Sequence, residues 1–264
     1  MDPIISIKNL RKNYGSKEVL KGITFDIYPG QVIGYIGPNG AGKSTTVKIL
    51  CGLLSDYTGE ATIKGMDLKT DTLKIKNLIG YVPELAELYD VLTPAEFLSF
   101  IGELYNLPPA ITNERMNNIL TALGIHGNIN QRMDTFSKGM KQKVLIASGL
   151  LHNPEIIILD EPLSGLDANS VIIVKELITM LAKEGKTIFY CSHMMDIVEK
   201  VSEKIVLIDH GEIVANGTFA ELKEKLGNKS LEQMFAALTS DESLSGAAGR
   251  IMDAISDHKI SDNG

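Results

Sequence analysis

Apolar and polar residues change period several times along the chain, and each change marks an element. Near the start Ile5, Ile7 and Leu10 alternate with polar residues, and Val19–Ile27 repeats the pattern after the polar turn Gly15-Ser16-Lys17. A period of two sends successive side chains to opposite faces, so both runs predict half-buried strands. Pro29-Gly30 interrupts the pattern. Val32-Ile33-Gly34-Tyr35-Ile36 is then almost wholly apolar, as expected of a strand covered on both faces. A glycine-rich loop, Gly37 to Gly42, leads into a helix predicted over Lys43–Cys51 and stopped by Gly52.

From about Leu85 the pattern becomes helical. Thr93-Pro94-Ala95-Glu96 combines a capping box with proline at the first helical position. Asn113–Leu123 reads as a second helix, ended by Gly124, and Val144–Leu151 as a third. The stretch at about 85–150 is therefore expected to be a helical subdomain inserted in an α/β core. Strand–helix alternation then resumes. Ile156–Asp160 and Thr187–Cys191 predict buried strands, with a helix over Val171–Lys183 between them, ended by Gly185. Ile205–Asp209 and Glu212–Ala215 predict a hairpin across His210-Gly211. The end, from about Ser240, is rich in Ser, Asp and Gly and is expected to be loosely ordered.

Composition narrows the functions open to such a fold. Of 264 residues, 26 are Lys or Arg and 33 are Asp or Glu, a net charge of −7. That balance disfavours a nucleic-acid binder held mainly by phosphate neutralisation, but leaves room for a local basic site. Two cysteines, Cys51 and Cys191, exclude a disulfide framework and suit a reducing cytosol. The start, Met1 to Ser6, lacks a basic stretch before an apolar one, so no secretory leader is expected. No apolar run reaches the ~18 residues of a membrane span, so action at a membrane would require a partner there.

Three motifs carry chemistry. Gly37-Pro38-Asn39-Gly40-Ala41-Gly42-Lys43-Ser44-Thr45 fits the phosphate-loop pattern G-x-x-x-x-G-K-[ST]. Its glycines let backbone N–H groups turn toward phosphate oxygens, and the helix begun by Lys43 adds its positive end. Lys43 suits the β- and γ-phosphates, and the Ser44 hydroxyl suits Mg²⁺. A glycine-rich turn entering a helix is the plainer alternative. Ile156–Leu159 then deliver Asp160 and Glu161 to the carboxyl end of a strand, the edge where open parallel sheets bind ligands. Asp160 is suited to hold Mg²⁺, and Glu161 to orient or deprotonate an attacking water. The alternative is a solvated acidic pair. The third motif, Phe136-Ser137-Lys138-Gly139-Met140-Lys141-Gln142, is a polar helix start, read either as a second anion site or as an ordinary cap by Ser137.

In this order the three motifs resemble the ATP-binding cassette (ABC) ATPases over about residues 3 to 238. The resemblance implies an α/β fold, a P-loop ATPase core with an antiparallel β-subdomain and an inserted helical subdomain. It places the ATPase domain at 3–225, followed by a short C-terminal helix and loosely ordered tail at 226–264. Phe136–Lys141 stands where the family has its signature, with Ser137 and Gly139 facing phosphate, and Ser164-Gly165-Leu166-Asp167 matches the D-loop. Tyr14 stands where an aromatic ring stacks on adenine. Cys191-Ser192-His193 makes His193 the switch histidine, and a neutral imidazole there is expected to donate to the γ-phosphate. The other histidines, His126, His152, His210 and His258, are expected at the surface. Gly80-Tyr81-Val82-Pro83-Glu84 occupies the loop that normally ends in Gln, so Glu84 joins Ser44 and Asp160 as a candidate metal ligand.

Two departures are notable. Glu84 can accept but cannot donate a hydrogen bond as Gln does, and the signature reads Ser-Lys-Gly-Met-Lys in place of Ser-Gly-Gly-Gln. Both resemble the ABC-2-type export branch. The family implies ATP and Mg²⁺ as cofactors, a homodimer or paired ATPase subunits closed around ATP, and a separate membrane permease. It implies no nucleic-acid partner and a cytoplasmic location at the inner face of the cell membrane. A soluble ABC ATPase acting on a partner such as the ribosome is the alternative. Translation-type members carry two cassettes, and this chain has one.

Overall fold

Residues 2–84, 88–227, 230–239 and 247–256 are described by the computed structural model. The first alternating runs form strands β1 (Ile5–Tyr14) and β2 (Lys17–Ile27), followed by the short apolar strand β3 (Val32–Ile36) and helix α1 (Lys43–Leu50). Strands β4 (Thr58–Ile63) and β5 (Met66–Asp67), helix α2 (Thr72–Lys76) and strand β6 (Ile79–Val82) come next. Helices α3 (Pro94–Leu104), α4 (Pro109–Ala122) and α5 (Lys138–Leu150) follow in succession. Alternation returns with β7 (Ile156–Asp160), α6 (Ala168–Lys183), β8 (Thr187–Cys191), α7 (Met195–Val201), β9 (Lys204–Asp209) and β10 (Glu212–Thr218). Helices α8 (Phe219–Leu226), α9 (Leu231–Thr239) and α10 (Ala247–Ser256) close the described chain.

Two sheets result. One is four-stranded and antiparallel, in the order β2-β1-β4-β5; the other is six-stranded, in the order β10-β9-β3-β8-β7-β6. All neighbours in the second sheet are parallel except the β9–β10 hairpin. Its central strands read as continuous apolar runs, yet their side chains divide strictly by face. Ile33, Tyr35, Ile158, Phe189 and Val206 turn toward the antiparallel sheet. Val32, Ile36, Leu159, Tyr190 and Leu207 turn toward Leu98, Val144, Val174 and Val198 of the helices. Phe25 of β2 joins the layers, with its ring centroid 5.7 Å from Tyr35 and 6.4 Å from Phe189.

The order β3-β8-β7 places three carboxyl ends side by side. The glycine-rich loop after β3, Ser192-His193 after β8 and Asp160-Glu161 at the end of β7 therefore emerge at one edge. The predicted capping box forms: Thr93 Oγ1 accepts the Glu96 N–H at 3.2 Å, and the Glu96 carboxylate accepts the Thr93 N–H at 2.8 Å.

Several expectations change. Gly80–Val82 is strand, pairing with Gly80↔Ile157 in β7, so only Pro83 and Glu84 of that segment leave the sheet. Helix α4 begins at Pro109, because proline at the first helical position lacks no needed N–H. The boundary at 225 cuts through α8, and Leu231 and Met234 of α9 are fully buried in the helix-side core. Of the tail expected to be loosely ordered, 247–256 is helix; 240–246 and 257–264, with His258, lie outside the described residues. No helix among the described residues is long and apolar enough to cross a membrane.

Candidate active site

The loop after β3 turns through Gly42, whose φ of 111° lies in the left-handed region. A side chain there would both strain the backbone and strike Leu20 Cδ2 at 2.6 Å. Gly42 is also the N-cap of α1 and offers no side-chain cap, so the first amides of the helix are left for a ligand. Lys43 is almost fully buried, and its Nζ donates to the carbonyls of Gly37 at 2.7 Å and Pro38 at 3.1 Å. Thr46 ties the helix back to the sheet, its hydroxyl lying 3.1 Å from that of Tyr35.

Across the edge stand the carboxylates. Asp160 is buried, and burial raises its pKa above the usual carboxylate value. The Cys191 thiol beside it acts the other way, the charges of Glu84 and Glu161 push it further up, and Lys43 pulls it down. Glu161 is held in the left-handed region at φ 48°, a costly conformation for a residue with a Cβ. Its backbone N–H donates to the Cys191 carbonyl at 2.9 Å. Its Oε2 accepts the Ser192 hydroxyl at 3.0 Å, and its Oε1 accepts the His193 N–H at 2.8 Å. His193 Nδ1 also lies 2.8 Å from Oε1.

A carboxylate only accepts, so in this contact Nδ1 is the donor and the ring is held by Glu161 with Nε2 on its other side.

A cleft of ≈ 550 Å³ brings together Tyr14, Gly37, Pro38, Asn39, Gly40, Gly42, Lys43, Ser44, Thr45, Glu84, Asp160, Glu161 and His193. Ala41 lies beneath it, buried, its carbonyl accepting the Gly211 N–H at 3.0 Å. Tyr14 is 47% exposed, and Lys12 Nζ sits 4.6 Å from its ring centroid. The cleft also includes Lys17, Val19, Met195 and Phe235, none of which a local motif marks.

Ser137 and Gly139 are not brought into this cleft. Ser137 is exposed at the N-cap of α5 and accepts the Met140 N–H at 3.2 Å. Gly139 packs on the D-loop segment, where a Cβ would lie 2.4 Å from the Gly165 carbonyl oxygen. Within one chain both residues thus have local structural roles.

The donor set fits Mg²⁺. No group of three or more His, Cys, Asp or Glu side chains suited to a metal occurs among the described residues. Mg²⁺ asks for less: one or two carboxylates, with water and substrate phosphates completing its shell. The desolvated Asp160, with the Ser44 hydroxyl in the same cleft, meets that requirement.

Comparison with known proteins agrees with this geometry. The family profile described as "ABC transporter" matches residues 20–164. The linearmycin resistance ATP-binding protein LnrL of Bacillus subtilis is 37% identical over 88% of this chain and 74% of its own length. A solved ATP-binding subunit of an ABC transporter superposes with a TM-score of 0.85 at 30% identity, covering 90% of this chain and all of that one (100%). The ATP-binding cassette MJ0796, solved as a post-hydrolysis dimer bound to ADP and Pi, gives a TM-score of 0.75 at 25% identity over 81% of this chain and 98% of its own.

Proposed function

The chain belongs to the ABC transporter family, and on that premise we propose that it is the ATPase subunit that drives a separate membrane permease, moving substrate outward. It binds and hydrolyses ATP. The observation that carries the reading is the convergence of phosphate loop, Asp160, Glu161 and His193 on one sheet edge. The similarity to a linearmycin resistance protein supports the outward direction.

The mechanism follows from the groups present. The free amides at the start of α1 receive phosphate oxygens, and Lys43 supplies the compensating charge. Tyr14 offers its open ring face to the adenine. Mg²⁺, held by Ser44 and Asp160 with Glu84 near by, would neutralise charge on the phosphates. Glu161 takes the proton of the attacking water, and His193, hydrogen-bonded to it, responds to the γ-phosphoryl group. Ser137 and Gly139 complete the site from a second subunit, so that ATP joins two acidic chains and its hydrolysis lets them part.

A permease needs an apolar landing place. Tyr89, Val91, Phe100 and Leu104, in and just before α3, are large apolar residues exposed by 65%, 63%, 42% and 58%. The test is gentle detergent extraction of the native complex followed by mass spectrometry. A multi-span membrane protein copurifying in stoichiometric amount is expected. Ribosomal proteins in its place would overturn the transporter reading.

A further inference from the structure

Ser192 stands between the switch histidine and the last residue of β8, and it is 1% exposed. A buried hydroxyl has one proton to give and must find partners for it. The Met194 N–H donates to Ser192 Oγ at 3.1 Å, so the serine proton is free for the other neighbour, Glu161 Oε2 at 3.0 Å. The direction of the chain is fixed, because an ionised carboxylate can only accept. Met194 is the N-cap of α7. One hydroxyl therefore links the carboxylate after β7 to the first turn of the helix after β8.

We propose that Ser192 is a positioning residue for ATP hydrolysis, its hydroxyl fixing the Glu161 carboxylate in the cleft and tying it to the start of α7. The inference rests on Glu161 being the base. Glu161 Oε1 already receives His193, so Oε2 depends on Ser192 for its orientation.

The experiment compares steady-state ATP hydrolysis of the full chain with Ser192→Ala, Ser192→Thr and Glu161→Gln. Ser192→Ala is expected to lower kcat about tenfold with KM for ATP unchanged. Ser192→Thr, which keeps the hydroxyl, is expected to restore kcat. A loss of kcat that Ser192→Thr does not restore, or one with an equal change in KM, would mean a structural role and overturn the proposal; so would an unchanged Ser192→Ala. Normal turnover by Glu161→Gln would instead remove the base assignment on which the inference rests, and is read separately.

Discussion

At the scale of single residues, His152 shows how far context overrides sequence. It lies in a Leu-His-Asn-Pro stretch that reads as a surface loop. In the fold its ring stacks on Tyr105, centroids 3.7 Å apart and planes 8° from parallel, and Nε2 donates to the Ile79 carbonyl at 3.1 Å. Nδ1 is buried without a hydrogen-bond partner among the described residues. Burial pushes its pKa down from 6.5 to about 4, with Arg115 adding to the effect. The folded chain thus binds a proton less readily than the unfolded one. The stabilisation is complete above the unfolded pKa of 6.5 and is lost as pH falls toward about 4. Thermal melts should show the wild type losing more stability than His152→Phe between about pH 7.5 and about pH 5. Parallel loss in both proteins would show that His152 is not the titrating group. The expectation of a surface histidine failed because Tyr105 and Ile79 reach it only through tertiary packing. Gly42, Lys43 and Ser44 were legible because their chemistry depends on adjacent residues.

At the scale of elements, short regular patterns were readable and long-range dependence was not. Strands β3, β7 and β8 announce themselves as apolar runs ended by Gly37, Asp160 and Cys191. Strands β4 to β6 gave little signal, since Thr58–Ile63 mixes glycine and charge and β5 is two residues long. A short helix after 225 is expected from the resemblance, but nothing in the sequence of α9 says what it packs on. Leu231 and Met234, one turn apart, are both fully buried, and the helix rests on α7, the element that follows His193. Phe235, beside Met234, reaches the cleft. Met234→Ala should therefore cost about 2–5 kcal/mol in urea unfolding, as for a core methionine. A cost under about 0.5 kcal/mol would mean that α9 is a surface appendage.

At the scale of the whole molecule, the topology does what no motif can: it makes neighbours of segments far apart in the chain. The order β3-β8-β7 sets the phosphate loop beside Ser192-His193 and Asp160-Glu161. Local sequence named the parts, while the hydrogen bonds from Ser192 and His193 to Glu161 needed the sheet to assemble them. Ser137 and Gly139 remain outside the cleft of their own chain, and the site as proposed is completed only by a second subunit. The net charge of −7 gives two such chains no general attraction, so on the proposed reading the nucleotide supplies their union. The most direct measurement is sedimentation velocity of Glu161→Gln, which is expected to retain ATP because the proposed base is lost while the phosphate loop is intact. A dimer with MgATP and a monomer with MgADP is the predicted result; a monomer under both conditions, with ATP bound, would contradict it.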